Sequence, residues 1–228
     1  MGSALAAALP GAGVRVSGPL GRGEAPDPCD AILLCVPDEA IRDAAASGAG
    51  AAPLVGHVSG ATSLDALEPA GGEAFGLHPL QAVTGPDTSF TGCGCAVAGS
   101  TAAALAAATE LAVLLGMRPF ELDDSRRGAY HAAASIASNF LVTLEAAAES
   151  MAGAAGIAPD EARELLGPLV RSTVENWIAL GPERALTGPV ARRDEATVAA
   201  QRAAVEEAHP ELLELFDALV TRTEELAR

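Results

Sequence analysis

The chain contains no lysine; all fourteen of its basic residues are arginine. That absence excludes Schiff-base catalysis, a lysine-anchored pyridoxal site and a P-loop lysine together. Aromatic residues are nearly as scarce, at 3% of 228 residues, with one Trp and one Tyr. Basic residues are outnumbered by thirty acidic ones, for a formal net charge of −16. Phosphate recognition needs a basic footprint, so no nucleic-acid partner is expected, and the acidity itself reads as solubility. The four cysteines, Cys29, Cys35, Cys93 and Cys95, lack zinc spacing, and Cys35 lies inside an apolar run. They read as reduced structural thiols with no metal, not as a disulfide framework. No apolar run reaches membrane-spanning length, and the first residues lack the charged start and apolar core of a signal peptide. A cytoplasmic protein without a membrane partner is the expectation.

What is present is a globular composition, 50% hydrophobic and 19% charged, long enough for one large domain or two modest ones. Its rare polar types gather into four islands. These are His57-Val58-Ser59-Gly60, His78-Pro79-Leu80-Gln81, Tyr130-His131 through Asn139, and Asn176-Trp177 leading into Leu186 to Pro189 and Arg192-Arg193-Asp194. Four islands on separate elements suggest convergence on one pocket that binds a small-molecule substrate.

Up to Asp123 short apolar strands alternate with helices or loops. Strands are expected at 13–17, 31–36, 54–58, 75–77, 95–98 and 119–122, and helices at 3–9, 39–46 and 101–115, the last capped by Ser100. Residues 86–92 read as a loop. Strand–helix alternation with doubly apolar strands means a mostly parallel sheet covered on both faces. From Asp124 the pattern is helical only: one long helix over 125–152, then 159–166, 169–180, 193–208 and 210–227, with Gly or Gly-Pro at the joints. The fold class is therefore α/β plus all-α, with domains at 1–123 and 124–228. A junction of this kind commonly houses a ligand cleft.

The start has its own reading. Met1-Gly2-Ser3-Ala4-Leu5 followed by Gly13 and Val14-Arg15-Val16 looks like a nucleotide-binding βαβ unit met after the second glycine of G-x-G-x-x-G. Gly2 then stands as the third glycine, with the first strand and the Gly-x-Gly turn lying before residue 1. A longer natural start is the favoured expectation, because a doubly wound sheet needs its central strand. The alternative is a truncation that has lost cofactor binding.

Five blocks carry a resemblance: VPDEAI (36–41), GHVSGATSL (56–64), GLHPLQAV (76–83), YHAAASIASNF (130–140) and ALTGPVARRD (185–194). In this order they resemble the bacterial family of Rossmann-like proteins with a helical C-terminal domain of the DUF2520 type. That family is similar in architecture to ketopantoate reductases and β-hydroxyacid dehydrogenases. The resemblance implies a Rossmann-like N-terminal domain and a helical domain of 6-phosphogluconate-dehydrogenase-like type that mediates homodimerisation. It also implies an NADP(H)-dependent oxidoreductase acting on CH–OH donors, with ketopantoate as the best single substrate guess. The missing Gly-x-Gly is where this chain departs from the pattern.

Taken one by one, the residues admit two readings each. Val36, Pro37 and Asp38 end a strand at the carboxyl edge, where open α/β sheets bind ligands, so they line the cofactor or merely stop the strand with Asp38 as a helix cap. His57 and Ser59 alternate along one strand and face one side, and Gly60 permits close approach of a ligand. With Gly2, Ser3 and Arg22, the last placed to pair with a 2′-phosphate, they make up the candidate cofactor set. His131, Ser135 and Asn139 form an i, i+4, i+8 stripe. In β-hydroxyacid dehydrogenases this helix carries a catalytic Lys four residues before an Asn. Ser135 occupies that position here, so proton donation is expected from His131 or His78. Tyr130 points off the stripe and reads as packing or a ribose contact. Arg192 is placed to grip a substrate carboxylate. Thr187, Asp194 and Asn176 line the same wall, with helix capping the alternative for Asp194. Two non-catalytic readings stand beside the enzyme: a dinucleotide-binding sensor and a dimeric scaffold.

Overall fold

The computed structural model describes residues 1–228, which divide into two compact units, Met1–Ser138 and Asn139–Arg228. The division falls after a helix that the sequence pattern places beyond a boundary at Asp123/Asp124.

The first unit opens with α1 (Gly2–Ala8), prolonged by a tight turn through Ala12 and closed at Gly13. Gly13 has φ +83°, a left-handed conformation, and the Gly13 and Val14 amides donate to the Pro10 and Leu9 carbonyls. The strand expected over 13–17 does not form. No neighbouring strand supplies a ladder, so this segment runs as irregular chain with Val16 exposed. There follow β1 (Ala31–Leu34), α2 (Ile41–Ser47), β2 (Leu54–His57), β3 (Glu73–Pro79), β4 (Gly94–Gly99), α3 (Ala102–Leu114), β5 (Arg118–Glu121) and α4 (Arg127–Ala137). The sheet runs in order β1-β2-β3-β4-β5, parallel throughout except for the antiparallel β3–β4 pair. Residues 80–93, the β3–β4 connection, include the expected loop.

Both faces of the sheet are covered. Phe75, Leu77, Cys95 and Val97 pack under α1 and α3 through Ala4, Leu5, Ala104, Ala108 and Ala112. On the opposite face Val55 packs with Ile41, Ala45, Leu67 and Ala70. Alternation along β2 and β3 puts His57, Gly76 and His78 on this second face, at its carboxyl end. Thr101, not Ser100, caps α3, its hydroxyl accepting from the Ala104 amide at 3.1 Å. Ser100 instead accepts from the Ala74 amide at 2.9 Å, tying β3 to the end of β4.

The second unit is helical: α5 (Asn139–Ala154), α6 (Pro159–Leu180), α7 (Pro182–Ala185), α8 (Glu195–Ala208) and α9 (Leu213–Leu226). Two boundaries differ from expectation. The long helix over 125–152 breaks at Ser138, whose φ −123° and ψ −70° separate α4 from α5. Ser138 and Asn139 offer the backbone local alternatives to the helical ladder. Conversely, Gly167-Pro168 does not end its helix. Pro168 removes one amide donor from a helix of 22 residues, and α6 continues through it. No helix is long and apolar enough to cross a membrane.

Candidate functional site

β2 and β3 end side by side, with His57 in register with Gly76 and His78 two residues beyond. The turn after β2 is built on Ser59. Its hydroxyl donates to Asp38 Oδ2 at 2.8 Å, accepts from the Ala61 and Thr62 amides at 3.2 and 2.9 Å, and lies 3.0 Å from Thr62 Oγ1. Those bonds saturate the hydroxyl, so Ser59 shapes the turn. Asp38 is engaged by Ser59 and caps nothing.

His57 is fully buried, and its Nδ1 accepts from the Ser59 amide at 3.2 Å. A main-chain amide can only donate, so this ring carries its proton on Nε2, and that atom has no hydrogen-bond partner. Burial first, then the Arg127 charge, lowers its pKa and keeps it neutral. His78 is half-buried, with Nδ1 at 2.6 Å from the Tyr130 hydroxyl. Burial, followed by His131 and Arg127, pushes His78 down to about 4, while burial pushes the Tyr130 phenol up. Both groups are therefore neutral at physiological pH. Tyr130 is held edge-on by Phe120, with ring centroids 5.9 Å apart.

Gly60 lies where two imidazoles close in. A Cβ there would meet His78 Cε1 at 2.8 Å, His78 Nε2 at 2.9 Å and His131 Cδ2 at 3.0 Å. The two rings are 6.3 Å apart, and His131 faces solvent from α4.

Two charged residues that organise the site are not among the residues singled out from the sequence. Arg127 is 3% exposed, and its Nη1 donates to the Ser59 carbonyl at 3.3 Å. Its Nε pairs with Asp124. The guanidinium covers Gly76, where a Cβ would stand 2.7 Å from Nη2. Asp124 accepts from the Ser63 hydroxyl at 2.9 Å and the Leu64 amide at 2.8 Å. Desolvation opposes the carboxylate, but its bonds from Arg127, Leu64 and Ser63 outweigh that and hold its pKa below the usual value. Together Asp124 and Arg127 clamp the Ser59–Leu64 turn to the start of α4. The available signal was spacing: Asp124, Arg127 and His131 fall at i, i+3 and i+7, one face of a helical run.

The other candidates sit on other elements. Gly2 and Ser3 begin α1, and a Cβ on Gly2 would be 2.9 Å from the Cys35 Cβ, so only glycine lets α1 start this close to the end of β1. Val36 is half-buried and Pro37 exposed at that same edge, while Arg22 is exposed in the irregular chain before β1. Ser135 continues α4, but Asn139 opens α5 in the helical unit, so the expected stripe ends at Ser135. Asn176, Thr187 and Arg192 are exposed residues of the helical unit. Asp194 takes its alternative role as a cap, accepting from the Thr197 amide at 3.1 Å and hydroxyl at 2.7 Å. Asp194→Ala is expected to lower the urea midpoint of the helical unit, because the cap on the Thr197 amide is lost. Burial pushes Cys35 up to about 11 and Cys95 up to about 12, which keeps both as unreactive thiols.

Residues 93–223 match the family described as a domain of unknown function, DUF2520. Among solved structures, the chain is similar to the Thermotoga maritima protein TM1727 at 25% identity and TM-score 0.78, covering 90% of this chain and 81% of that one. It is also similar to a candidate NADP oxidoreductase of Bacteroides fragilis, at 20% identity and TM-score 0.75 over 87% and 77% of the two chains. A Plasmodium falciparum pyrroline carboxylate reductase, solved with NADP bound, matches at 12% identity and TM-score 0.58 over 100% and 95%. These likenesses show a Rossmann-like fold for the sheet-bearing unit. A search of curated proteins found no match.

Proposed function

Because this chain belongs to the DUF2520 family and gathers His57, Gly60, His78 and His131 at the carboxyl edge of its sheet, we propose that it is an NADP(H)-dependent oxidoreductase of a small 2-oxo or 2-hydroxy acid. The observation that carries this reading is the closure of His78 and His131 on Gly60, at the edge where open α/β sheets bind their ligands. The cofactor, when bound, supplies the hydride. Gly2 and Ser3 at the start of α1, with Val36, Pro37, Asp38, His57 and Gly60 along the β1 and β2 ends, are the residues that would hold it. The fit rests on the close packing of Gly2 on Cys35 and on the unpartnered, buried Nε2–H of His57. Arg22 is the basic residue proposed for a 2′-phosphate.

The two imidazoles divide the work. His78, held neutral, donates a hydrogen bond to the substrate oxygen as negative charge develops there. His131, open to solvent, gives the proton that turns that oxygen into a hydroxyl and is recharged from water. Arg192 is proposed to take the carboxylate, with ketopantoate the leading substrate. The likeness to a pyrroline carboxylate reductase adds pyrroline carboxylates to the substrates worth testing.

NADPH oxidation by the purified protein, followed across a panel of 2-oxo acids and pyrroline carboxylates, tests this. Turnover with at least one substrate, reduced about 100-fold by His131→Asn, is the expected result. Tight NADPH binding without oxidation would assign the non-catalytic sensor instead, and no binding would leave a scaffold.

A further inference from the structure

Tyr130 has a more definite place than packing. We propose that Tyr130 is a positioning residue whose hydroxyl donates to His78 Nδ1, fixing His78 as the Nε2–H tautomer and aiming that N–H past Gly60 at the substrate oxygen. The proposal rests on the reductase reading for its catalytic part only.

The geometry supplies the argument. The Nδ1 to hydroxyl distance of 2.6 Å is short for a neutral pair, and the contact joins β3 to α4 across 52 residues of sequence. A phenol is a strong donor and a weak acceptor, while the unprotonated imidazole nitrogen is a strong acceptor, so the bond runs from Tyr130 to His78. With Nδ1 occupied, the His78 proton resides on Nε2, the atom that faces Gly60.

The neighbouring strand repeats the pattern. His57 Nδ1 accepts from the Ser59 amide, so its Nε2 carries the proton on the same face of the sheet. Two neutral imidazoles on adjacent strand ends thus each have Nδ1 taken and the proton on Nε2, and that of His78 faces Gly60. Neutral N–H donors suit an acceptor atom that gains negative charge during reaction, because they stabilise it without first forming an ion pair with the resting substrate. Tyr130 is itself braced by Phe120, which limits the swing of the phenol and therefore of the ring it holds.

Nitrogen-15 NMR of imidazole-labelled protein reads the tautomer directly and needs no turnover. The expected spectrum shows His78 with Nε2 protonated and Nδ1 as the acceptor, and Tyr130→Phe shifts the Nδ1 resonance while the far-ultraviolet circular dichroism is unchanged. In the NADPH assay, Tyr130→Phe is expected to lower kcat about 10-fold with KM within about twofold. His78→Gln, whose amide nitrogen reaches the Nε2 position, should keep more activity than His78→Asn, whose amide reaches only the Nδ1 position. A His78 protonated on Nδ1 in the wild-type spectrum overturns the proposal, as does a Tyr130→Phe variant with unaltered His78 resonances. If the tautomer is as stated but no substrate is reduced, the reductase reading fails and the hydrogen-bond assignment stands. Equal activity of His78→Gln and His78→Asn would overturn the donor role while leaving the reductase in place.

Discussion

Arg127→Met is expected to destabilise the sheet-bearing unit by about 3 kcal/mol, read as a lower urea midpoint at unchanged m-value. The guanidinium is 3% exposed and serves two acceptors at once, Asp124 and the Ser59 carbonyl. Removing it strands a carboxylate and a carbonyl that the turn was folded around. The Asp124 side chain is 34% exposed and keeps its bonds from Ser63 and Leu64, which places the loss at the lower end of the range for broken buried pairs. The two residues act as one clamp, so Asp124→Asn should cost less in the Arg127→Met background than in the wild type. Additive losses, or a loss below about 1 kcal/mol, would mean that Arg127 behaves like an exposed ion pair.

Gly60→Ala is expected to lower kcat about 100-fold while leaving the protein folded. The added methyl would contact His78 and His131 at 2.8 to 3.0 Å, so both rings must move. What yields is side chain and not main chain, which spares the fold. What is lost is alignment: displacing His78 pulls its Nδ1 from the Tyr130 hydroxyl and re-aims Nε2. A misplacement of about 1 Å at a reacting group costs on the order of a hundredfold. Gly128→Ala is the control, because a Cβ there meets nothing within 4 Å. Its activity should match the wild type. Gly60→Ala with wild-type kcat would remove the two histidines from the reaction.

How far the sequence leads depends on what each signal reports. The inner strands were legible because strands buried on both faces read as apolar runs, as β2 and β4 do; β1 and the mostly exposed β5 also fall within a few residues of expectation. The 14–16 segment shows the limit of that signal, since Val-Arg-Val has strand character but a strand needs a partner, and none pairs with it. Helix punctuation failed in both directions. Gly167-Pro168 was overridden by the continuous helix around it, whereas Ser138 broke a run with no Gly or Pro nearby. The histidine islands were legible because the composition makes polar residues rare. Arg127 was not, because an arginine in a helical run ordinarily faces solvent, and only the three-dimensional pairing of Gly76 with an adjacent strand end makes room for a buried guanidinium.

The scarcity of histidine also permits the most direct test. The four rings, His57, His78, His131 and His209, should give four resolvable imidazole signals during an NADPH titration. The account predicts saturable shifts at His57, His78 and His131, with His209, in the α8–α9 turn of the helical unit, unaffected. Saturable NADPH binding that leaves His57, His78 and His131 unmoved would contradict it.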